Sequence, residues 1–373
     1  MSGPQGKVAA KLVNAREAAM QSTYVERHSR LDRIDGLRAL AVAGVLLIHA
    51  QMLTPTPLLA PLGHYGQLGV QLFFFLSGYI INMAWDRGGT GTAGFYWNRV
   101  ARIAPLYYLM LVLSYIFQWS MSPDELNTEN FIWHLFFAHG FSGGYAYAGV
   151  GAMWSLTSEI VFYLVFPFLR RLSTRTLLVL FAGSLFFGDV DTGLAYWLTG
   201  STIFSFTPLG ALKFMLAGMI VYRHRDLFAT PRAVLLSGLF ALAMLLMMAG
   251  TLLEVEFEAP VDVPKSLVLL FACPFLMFSQ VPLIRIALEN AVARHLGLVS
   301  YSIYLWQMPL IQELHERGWN VDILTLTAIV VAVSTVSYLL VERPFLTWFR
   351  AGQAKPAIAQ SKPASKGVGL QDA

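Results

Sequence analysis

The feature that most constrains this chain is a series of apolar stretches, each long enough to cross the hydrocarbon core of a membrane. One crossing needs about 20 consecutive, mostly apolar residues. Such stretches lie at 37–53, 68–85, 103–120, 153–169, 176–190, 206–222, 233–253, 265–281, 297–314 and 321–340. The sequence therefore predicts an all-α membrane protein with about ten transmembrane helices.

The composition supports a membrane location and excludes other classes. Hydrophobic residues make up 56% of the 373 residues and charged residues only 13%, whereas an ordinary soluble domain has about 25% charged residues. This scarcity of charge excludes a soluble globular enzyme, a disordered protein and a nucleic-acid binder with a broad basic face. The single cysteine, Cys273, lies in an apolar stretch and cannot form an internal disulfide.

The distribution of Lys and Arg predicts the orientation in the membrane. A further apolar stretch, 131–150, holds Trp133, His134, His139 and several glycines. We interpret it as a re-entrant or interfacial segment, because counting it as a span would reverse the side of every later loop. With ten spans, 23 of the 26 basic residues fall on the side of the N-terminus. Because cytoplasmic loops are enriched in Lys and Arg, both termini are predicted to be cytoplasmic.

The ends of the chain differ in composition from the membrane part. Residues 1–30 carry five basic residues without an apolar core, which predicts a cytoplasmic N-terminal segment and no cleavable signal peptide. Residues 351–373 are rich in Ala, Lys, Gln, Ser and Gly and have no apolar periodicity. This predicts a disordered cytoplasmic tail, which leaves 31–350 as the membrane domain.

The first span carries polar residues on one face. Arg38 and His49 are eleven residues apart, which places them within 20° of each other after three helical turns and about 16 Å apart along the axis. Asp35 falls near the same stripe. Ionisable groups inside a bilayer are costly and usually functional. The alternative is that Arg38 only anchors the span and His49 only bonds a neighbouring helix.

A second ionisable group is predicted at the depth of His49. Glu159 follows Trp154 and Ser155 near the start of the fourth span, in the outer half of the bilayer. A carboxylate there has to be neutral or paired. We expect a His49–Glu159 pair, in which the carboxylate orients the imidazole and raises its basicity. A purely structural hydrogen bond is the alternative interpretation.

Three further motifs carry polar groups at or inside spans. Ser77 and Gly78 end an aromatic run in the second span and favour close helix packing. Arg99 and Arg102 share one helical face, and paired guanidinium groups suit phosphates, although anchoring at the cytoplasmic edge explains them equally well. The string from Ser300 to Pro309 is dense enough in hydroxyl, indole and amide groups to suggest a lined cavity.

Together these motifs resemble the acyltransferase 3 family of membrane proteins, which includes O-acetylases of O-antigen and other surface glycans. The resemblance covers about 31–345. It rests on motifs in the family's order: Arg33-Ile34-Asp35-Gly36-Leu37-Arg38, the spacing from Arg38 to His49, Phe73-Phe74-Phe75-Leu76-Ser77-Gly78, Arg99-x-x-Arg102 with Pro105, Trp154-Ser155 through Glu159, and Ser300 to Pro309.

The resemblance implies an acyltransferase in a bacterial inner membrane. The donor would be cytoplasmic acyl-CoA, usually acetyl-CoA, and the acceptor a hydroxyl of a glycan, a lipid-linked sugar or a small natural product. No metal and no nucleic acid is expected. The implied catalytic residues are His49, the general base, with Glu159 and Arg38; Arg99 and Arg102, with Arg38, would bind coenzyme A; and the expected substrate-binding residues are Asp35, Ser77, Tyr301, Tyr304 and Gln307.

The chain departs from the family pattern in two places. Many members carry a histidine where this chain has Gln307, and glutamine cannot exchange protons near neutral pH. Some glycan acetylases add an extracellular hydrolase-like domain, which we do not expect here. A covalent acyl-enzyme is an alternative route, although the sequence singles out no nucleophile. A proton-coupled transporter or flippase of a polar lipid or sugar is the alternative function, since intramembrane His, Glu and Arg also suit such a pathway.

Overall fold

The protein is a bundle of helices. The computed structural model describes residues 31–51, 66–88, 91–119, 126–141, 145, 149–186, 208–252, 262–319 and 321–349. Within these ranges all regular secondary structure is helical. The predicted N-terminal segment and C-terminal tail lie outside the described residues.

The helices follow the apolar stretches closely. In chain order they are α1 (31–51), α2 (Leu68–Gly88), α3 (Gly91–Phe117), α4 (Thr128–Leu135), α5 (Trp154–Leu169), α6 (Thr174–Phe186), α7 (Pro208–Arg223), α8 (Arg225–Phe228), α9 (Pro231–Leu252), α10 (Asp262–Phe278), α11 (Pro282–Leu288), α12 (Ala291–Leu298), α13 (Ser300–Glu316) and α14 (Ile323–Ser337). After α14 a π-helical turn, Tyr338–Glu342, continues into helix up to Phe349.

Length and hydropathy identify part of the expected set of spans. Among the described residues, four helices are long and apolar enough to cross a membrane: Leu68–Gly88, Gly91–Phe117, Gly151–Leu169 and Ile323–Phe349. A fifth crossing is counted if Val268–Phe278 and Pro282–Leu288, which are bent by 94° at their junction, form one broken span. The chain is therefore a helical membrane protein in which four or five helices have the length and hydropathy of a membrane span among the described residues.

The segment predicted to be re-entrant or interfacial contains only short helical pieces where it is described. Helix α4 has 8 residues and is therefore about 12 Å long, too short to cross a bilayer. Single 3-10 turns follow at His139–Phe141 and Gly151–Met153. The imidazoles of His134 and His139 are buried and stack with ring centroids 4.0 Å apart. The described part of the segment therefore contains no helix long enough to cross a bilayer.

Helices α2 and α7 form the most extensive pair in the described bundle. A Cβ atom at Gly78 would overlap the backbone carbonyl of Met215, and one at Gly218 would overlap that of Phe75. Tyr79, also on this face of α2, is fully buried. Small residues allow such close approach of helices in membranes, and we call this contact the glycine seam.

A buried arginine joins the start of α1 to the bend between α10 and α11. Arg33 donates hydrogen bonds to the carbonyl oxygens of Met277 and Ser279, at 3.1 and 2.7 Å, and forms an ion pair with Glu289. Gly36 packs against the backbone of Leu288 so closely that a Cβ could not fit. The beginning of the Arg33–Arg38 motif is therefore structural.

Candidate active site

A cavity of about 460 Å³ lies among α1, α2, α3, α5, α13 and the helical end of the chain near Phe349. Its walls are mostly apolar, with several aromatic rings. Most of the predicted site residues meet there, although they come from five different helices. The predicted residues that line it are Arg38, Ser77, Arg99, Arg102, Glu159, Tyr301 and Tyr304.

The charged groups of the cavity wall are mainly cations. Three arginines line the cavity, against one carboxylate among the described lining residues, that of Glu159. Opposite charges within a few ångströms interact far more strongly in such a low-dielectric environment than in water. The cavity is therefore suited to hold an anionic group such as a phosphate.

The two arginines of α3 are held in different ways. The Arg99 guanidinium lies 5.9 Å from the ring centre of Phe95 and 5.8 Å from that of Tyr163, and it hydrogen-bonds the Tyr163 hydroxyl. Arg102 instead forms an ion pair with Glu342, with 3.3 Å between Nη1 and Oε2. The Arg102 guanidinium also lies 5.8 Å from the ring centre of Tyr301. The spacing of three residues does bring both guanidinium groups to the same cavity.

The Glu159 carboxylate is bound by two hydroxyl groups. Ser77 Oγ donates a hydrogen bond of 2.9 Å to Glu159 Oε1, and the Tyr163 hydroxyl donates to the same oxygen. Arg38 lies within electrostatic range of this carboxylate. Glu159 is thus hydrogen-bonded by two hydroxyl groups and lies in the field of a cation, which lowers the cost of a carboxylate at membrane depth.

The expected His49–Glu159 pair does not form. The partner of the His49 imidazole is the side chain of Gln307, and Nδ1 of the ring has no hydrogen-bond partner in the described part of the chain. Within α1 the electrostatic partner of Glu159 is Arg38, which lies about 16 Å along the helix axis from His49. The prediction was wrong because it rested on estimated depth, and counting residues from the end of a span does not fix where a side chain ends.

His49 is not one of the residues that line the cavity. Tyr304 lines the cavity, and Gln307 follows it by one turn of α13, with its amide 3.3 Å from the Tyr304 carbonyl oxygen. The Tyr304 hydroxyl is 2.7 Å from Ser155 Oγ, which also lines the cavity. Tyr304 and Gln307 therefore connect the cationic cavity to the histidine.

Of the expected substrate-binding residues, Asp35 and Gln307 lie outside the cavity wall, and Tyr301 lines it with its ring. Asp35 is not part of the cavity wall; its backbone packs against Gly297, and Arg38 is its main electrostatic partner. Tyr301 does line the cavity, but its hydroxyl is used by a hydrogen bond of 2.9 Å to the carbonyl oxygen of Ile103. Tyr301 can therefore offer a ring face to a ligand more readily than a hydroxyl group.

Sequence reasoning missed two residues of this site. Tyr163 lies four residues after Glu159, and this spacing, which places two side chains on one helical face, was a signal for it. Glu342 lies past the end of the last predicted span, where a charged residue attracts no notice. The only sequence signal for Glu342 was that it is a carboxylate among basic residues on the side predicted to be cytoplasmic.

Within the described residues, no group of three His, Cys, Asp or Glu side chains is arranged to hold a metal ion. Cys273 is buried and free. The chemical groups in and around the cavity are instead an imidazole, a set of arginines and hydrogen-bonded carboxylates. Together with the apolar helices, this defines a membrane protein with an internal cavity lined by three arginines.

Comparison with known families identifies the class of this site. Residues 31–342 match the model of the acyltransferase domain family, Acyl_transf_3, so the chain belongs to that family. It is an O-acyltransferase that transfers groups other than aminoacyl groups. The family match covers every helix that contributes to the cavity, except for the last residues before Phe349.

Similar proteins carry names that refer to acyl transfer or to exopolysaccharide production. The chain is 27% identical over 361 residues to a putative membrane-bound transacylase, BcsY, of Komagataeibacter xylinus, covering 88% of this chain and 86% of that protein. It is 26% identical to the exopolysaccharide production protein ExoZ of Rhizobium meliloti, covering 80% and 96%. The O-acetyltransferase OatA of Staphylococcus aureus is 25% identical, covering 87% and 58%. No solved structure matches the chain.

Proposed function

We propose that this enzyme transfers an acyl group, in the simplest case acetyl, from acyl-CoA to a hydroxyl of a glycan or lipid-linked sugar. The observation that carries the proposal is the cavity lined by Arg38, Arg99 and Arg102; another lining residue, Tyr304, lies one helical turn before Gln307, the partner of His49. The names of relatives in exopolysaccharide production and O-acetylation support a polysaccharide acceptor. A small natural product with a hydroxyl is the other acceptor class consistent with this chemistry.

In the proposed topology the protein lies in the inner membrane of a bacterial cell. The donor enters its cavity from the cytoplasm. Ten spans with both termini inside place Arg99 and Arg102 near the cytoplasmic edge and His49 in the outer half of the bilayer. The support for this topology is the distribution of Lys and Arg. The cationic part of the cavity would then face the compartment that contains acyl-CoA.

The phosphates of coenzyme A would bind at the arginines. Arginine forms charge-assisted, often bidentate hydrogen bonds to phosphate oxygens, and Arg99 Nε has no partner among the described groups. The pantetheine arm would lie along the apolar wall, past Phe73 and Tyr304. In this pose the thioester would reach toward His49, while the phosphates remain at the entrance.

His49 is proposed as the general base. A neutral imidazole nitrogen takes the proton of the acceptor hydroxyl as its oxygen attacks the thioester carbonyl carbon. The carbon–sulfur bond breaks, and the imidazolium returns the proton to the departing thiolate, so that the products are the ester and free coenzyme A. Gln307 would fix the ring orientation through its hydrogen bond. Glu159 would act on the donor side, where it balances the charge of Arg38.

The test is transfer of labelled acetyl from acetyl-CoA by purified His49→Ala. Loss of a general base lowers the rate by about 10²–10⁴-fold, and we expect a fall in that range while the protein still inserts and folds. His295→Ala is the matched control, because His295 is exposed and hydrogen-bonds only Thr335. A wild-type rate for His49→Ala would remove the role proposed for this histidine.

The acceptor needs its own measurement. Mass spectrometry of surface polysaccharides and lipids from cells with and without the protein should show an ester present only in the first. Acyl-CoA-independent uptake of a sugar or lipid, driven by a proton gradient, would instead support transport.

A further inference from the structure

The two arginines of α3 differ in what lies behind them. Arg99 rests on the faces of Phe95 and Tyr163. Arg102 is joined to the carboxylate of Glu342, which is itself 1% exposed and does not line the cavity. The Arg102 side chain keeps 23% of its surface exposed. One guanidinium edge therefore faces the cavity while the other contacts a buried anion.

Each oxygen of Glu342 has a different neighbour. Oε1 accepts a hydrogen bond from the hydroxyl of Ser302, a fully buried residue of α13, whereas Oε2 lies 3.3 Å from Arg102 Nη1 in an ion pair without hydrogen-bond geometry. A carboxylate buried in this way is stable only if it is paired and hydrogen-bonded. Because the two contacts come from different helices, they leave the carboxylate little freedom to turn.

The backbone at Glu342 departs from regular α-helix. The π turn Tyr338–Glu342 interrupts the helix that extends from Ile323 to Phe349. Such a turn shifts the following side chains around the helix axis, and π turns inside α-helices occur frequently at functional sites. Here the turn ends on the residue that contacts Arg102.

The shape of the guanidinium group explains how a buried carboxylate can help to bind an anion. Arginine has five N–H donors in a planar fork and remains charged. An ion pair through Nη1 leaves the other donors of Arg102 for a ligand and draws one end of the fork toward Glu342. A preorganised donor of this kind loses less conformational entropy on binding than a free side chain.

We propose that Glu342 is a positioning residue of the donor site, which sets the Arg102 guanidinium so that its remaining N–H groups meet a phosphate of acyl-CoA. This inference rests on the proposed function, because it takes acyl-CoA as the donor. Ser302 has a supporting role, since its hydroxyl donates a hydrogen bond to the Glu342 carboxylate that pairs with Arg102.

A positioning role and a merely structural role differ in which donor is affected. Glu342→Gln keeps the size of the side chain but removes its charge, so Arg102 loses its fixed orientation. For acetyl-CoA we expect KM to rise about thirtyfold, which corresponds to the low end of the effect of breaking a buried charge pair, with kcat nearly unchanged. For S-acetyl-N-acetylcysteamine, a thioester without phosphates, KM should not change.

Two companion variants keep the inference testable if Glu342→Gln is poorly folded. Ser302→Ala leaves the charge in place and should raise KM for acetyl-CoA by about threefold, the loss of one hydrogen bond. Glu289→Gln is the matched control, because it removes the charge of another buried Arg–Glu pair, with Arg33, that is remote from the cavity. It should lower the thermal stability without changing either KM.

The outcomes separate this inference from the function beneath it. An unchanged or lowered KM for acetyl-CoA in both Glu342→Gln and Ser302→Ala overturns the positioning role, as does an equal rise for the two donors. Wild-type enzyme that uses acetyl-CoA no better than S-acetyl-N-acetylcysteamine overturns the proposed donor itself, and the inference with it. A rise confined to acetyl-CoA supports both.

Discussion

Two faces of helix α2 show how differently one helix can be used. On one face Gly78 and Phe75 meet α7 in the glycine seam, where backbone touches backbone. On the other face Phe73 and Ser77 line the cavity, where side chains surround open space. Ser77 and Gly78 are neighbours in sequence, yet the rotation of 100° between them places one at the cavity and the other at the glycine seam.

The difference separates stability from chemistry. At the seam any added atom must displace backbone, so substitutions there should change the free energy of unfolding and leave the reaction untouched. At the cavity wall there is room for a smaller side chain, so substitutions should change binding or rate in protein that remains folded. The three predictions below test that separation, beginning with the largest expected effect.

The strongest effect is expected at the wall, from Arg99→Ala combined with Arg102→Ala. Each arginine should lose about one charge-assisted hydrogen bond to phosphate, so KM for acyl-CoA should rise roughly a hundredfold in the double variant. Some loss of stability should accompany it, because Glu342 is left buried without its cation. Donor saturation curves of the purified enzyme measure the first effect and thermal unfolding the second.

The control for the arginines is Arg171→Ala combined with Arg175→Ala, two exposed residues outside the cavity. This variant removes the same net charge and should keep the wild-type KM. A KM that is unchanged in the Arg99/Arg102 variant would remove both arginines from the donor site and would break the proposed division between wall and seam.

At the seam, Gly218→Ala should destabilise the protein by about 2 kcal/mol, the usual cost of forcing extra atoms into a packed contact. The new Cβ would overlap the carbonyl of Phe75. Gly183→Ala is the matched control in α6, where a Cβ meets no atom within 4 Å, and it should gain up to about 1 kcal/mol in helix propensity. Unfolding in detergent measures both values.

The specific activity of folded Gly218→Ala should equal that of the wild type. If activity per folded molecule falls severalfold while stability does not change, the seam also shapes the active site and the two faces are coupled.

The smallest effect is expected for Ser77→Ala. It removes one of the two hydroxyl donors of Glu159, a loss of about 1 kcal/mol, so kcat/KM should fall about fivefold. Ser184→Ala is its control, because Ser184 Oγ bonds only the carbonyl of Phe181 in its own helix. Equal rates for the two variants would show that Ser77 serves packing alone, as its place beside Gly78 first suggested.

Much of the fold could be predicted because apolar length is a strong signal in membrane proteins. The helices Leu68–Gly88 and Ile323–Phe349 begin within a few residues of the predicted spans. The convergence of Arg38, Arg99 and Glu159 on one cavity was also within reach, because each is a charged group in or beside an apolar stretch. Such groups have few places to go except toward one another.

The pairing of those groups could not be read from sequence. Estimated depth in the membrane suggested a bond between His49 and Glu159. In the structure His49 instead bonds Gln307, and Glu159 accepts a hydrogen bond from Ser77. Which partner is nearer depends on how helices rotate and tilt, and that is decided by contacts such as the glycine seam. For the same reason the Arg102–Glu342 pair, between residues far apart in sequence, had no local signature.

The contacts of Arg33 with residues near the bend between α10 and α11 have a consequence for folding during translation. Its carbonyl acceptors on Met277 and Ser279 lie 244 and 246 residues later, and Glu289 lies 256 residues later. During synthesis the first helix leaves the ribosome long before any of these groups exists, so this guanidinium has to stay hydrated or bound by another factor until most of the protein has been translated. Helix α1 is therefore among the last helices to complete its tertiary contacts.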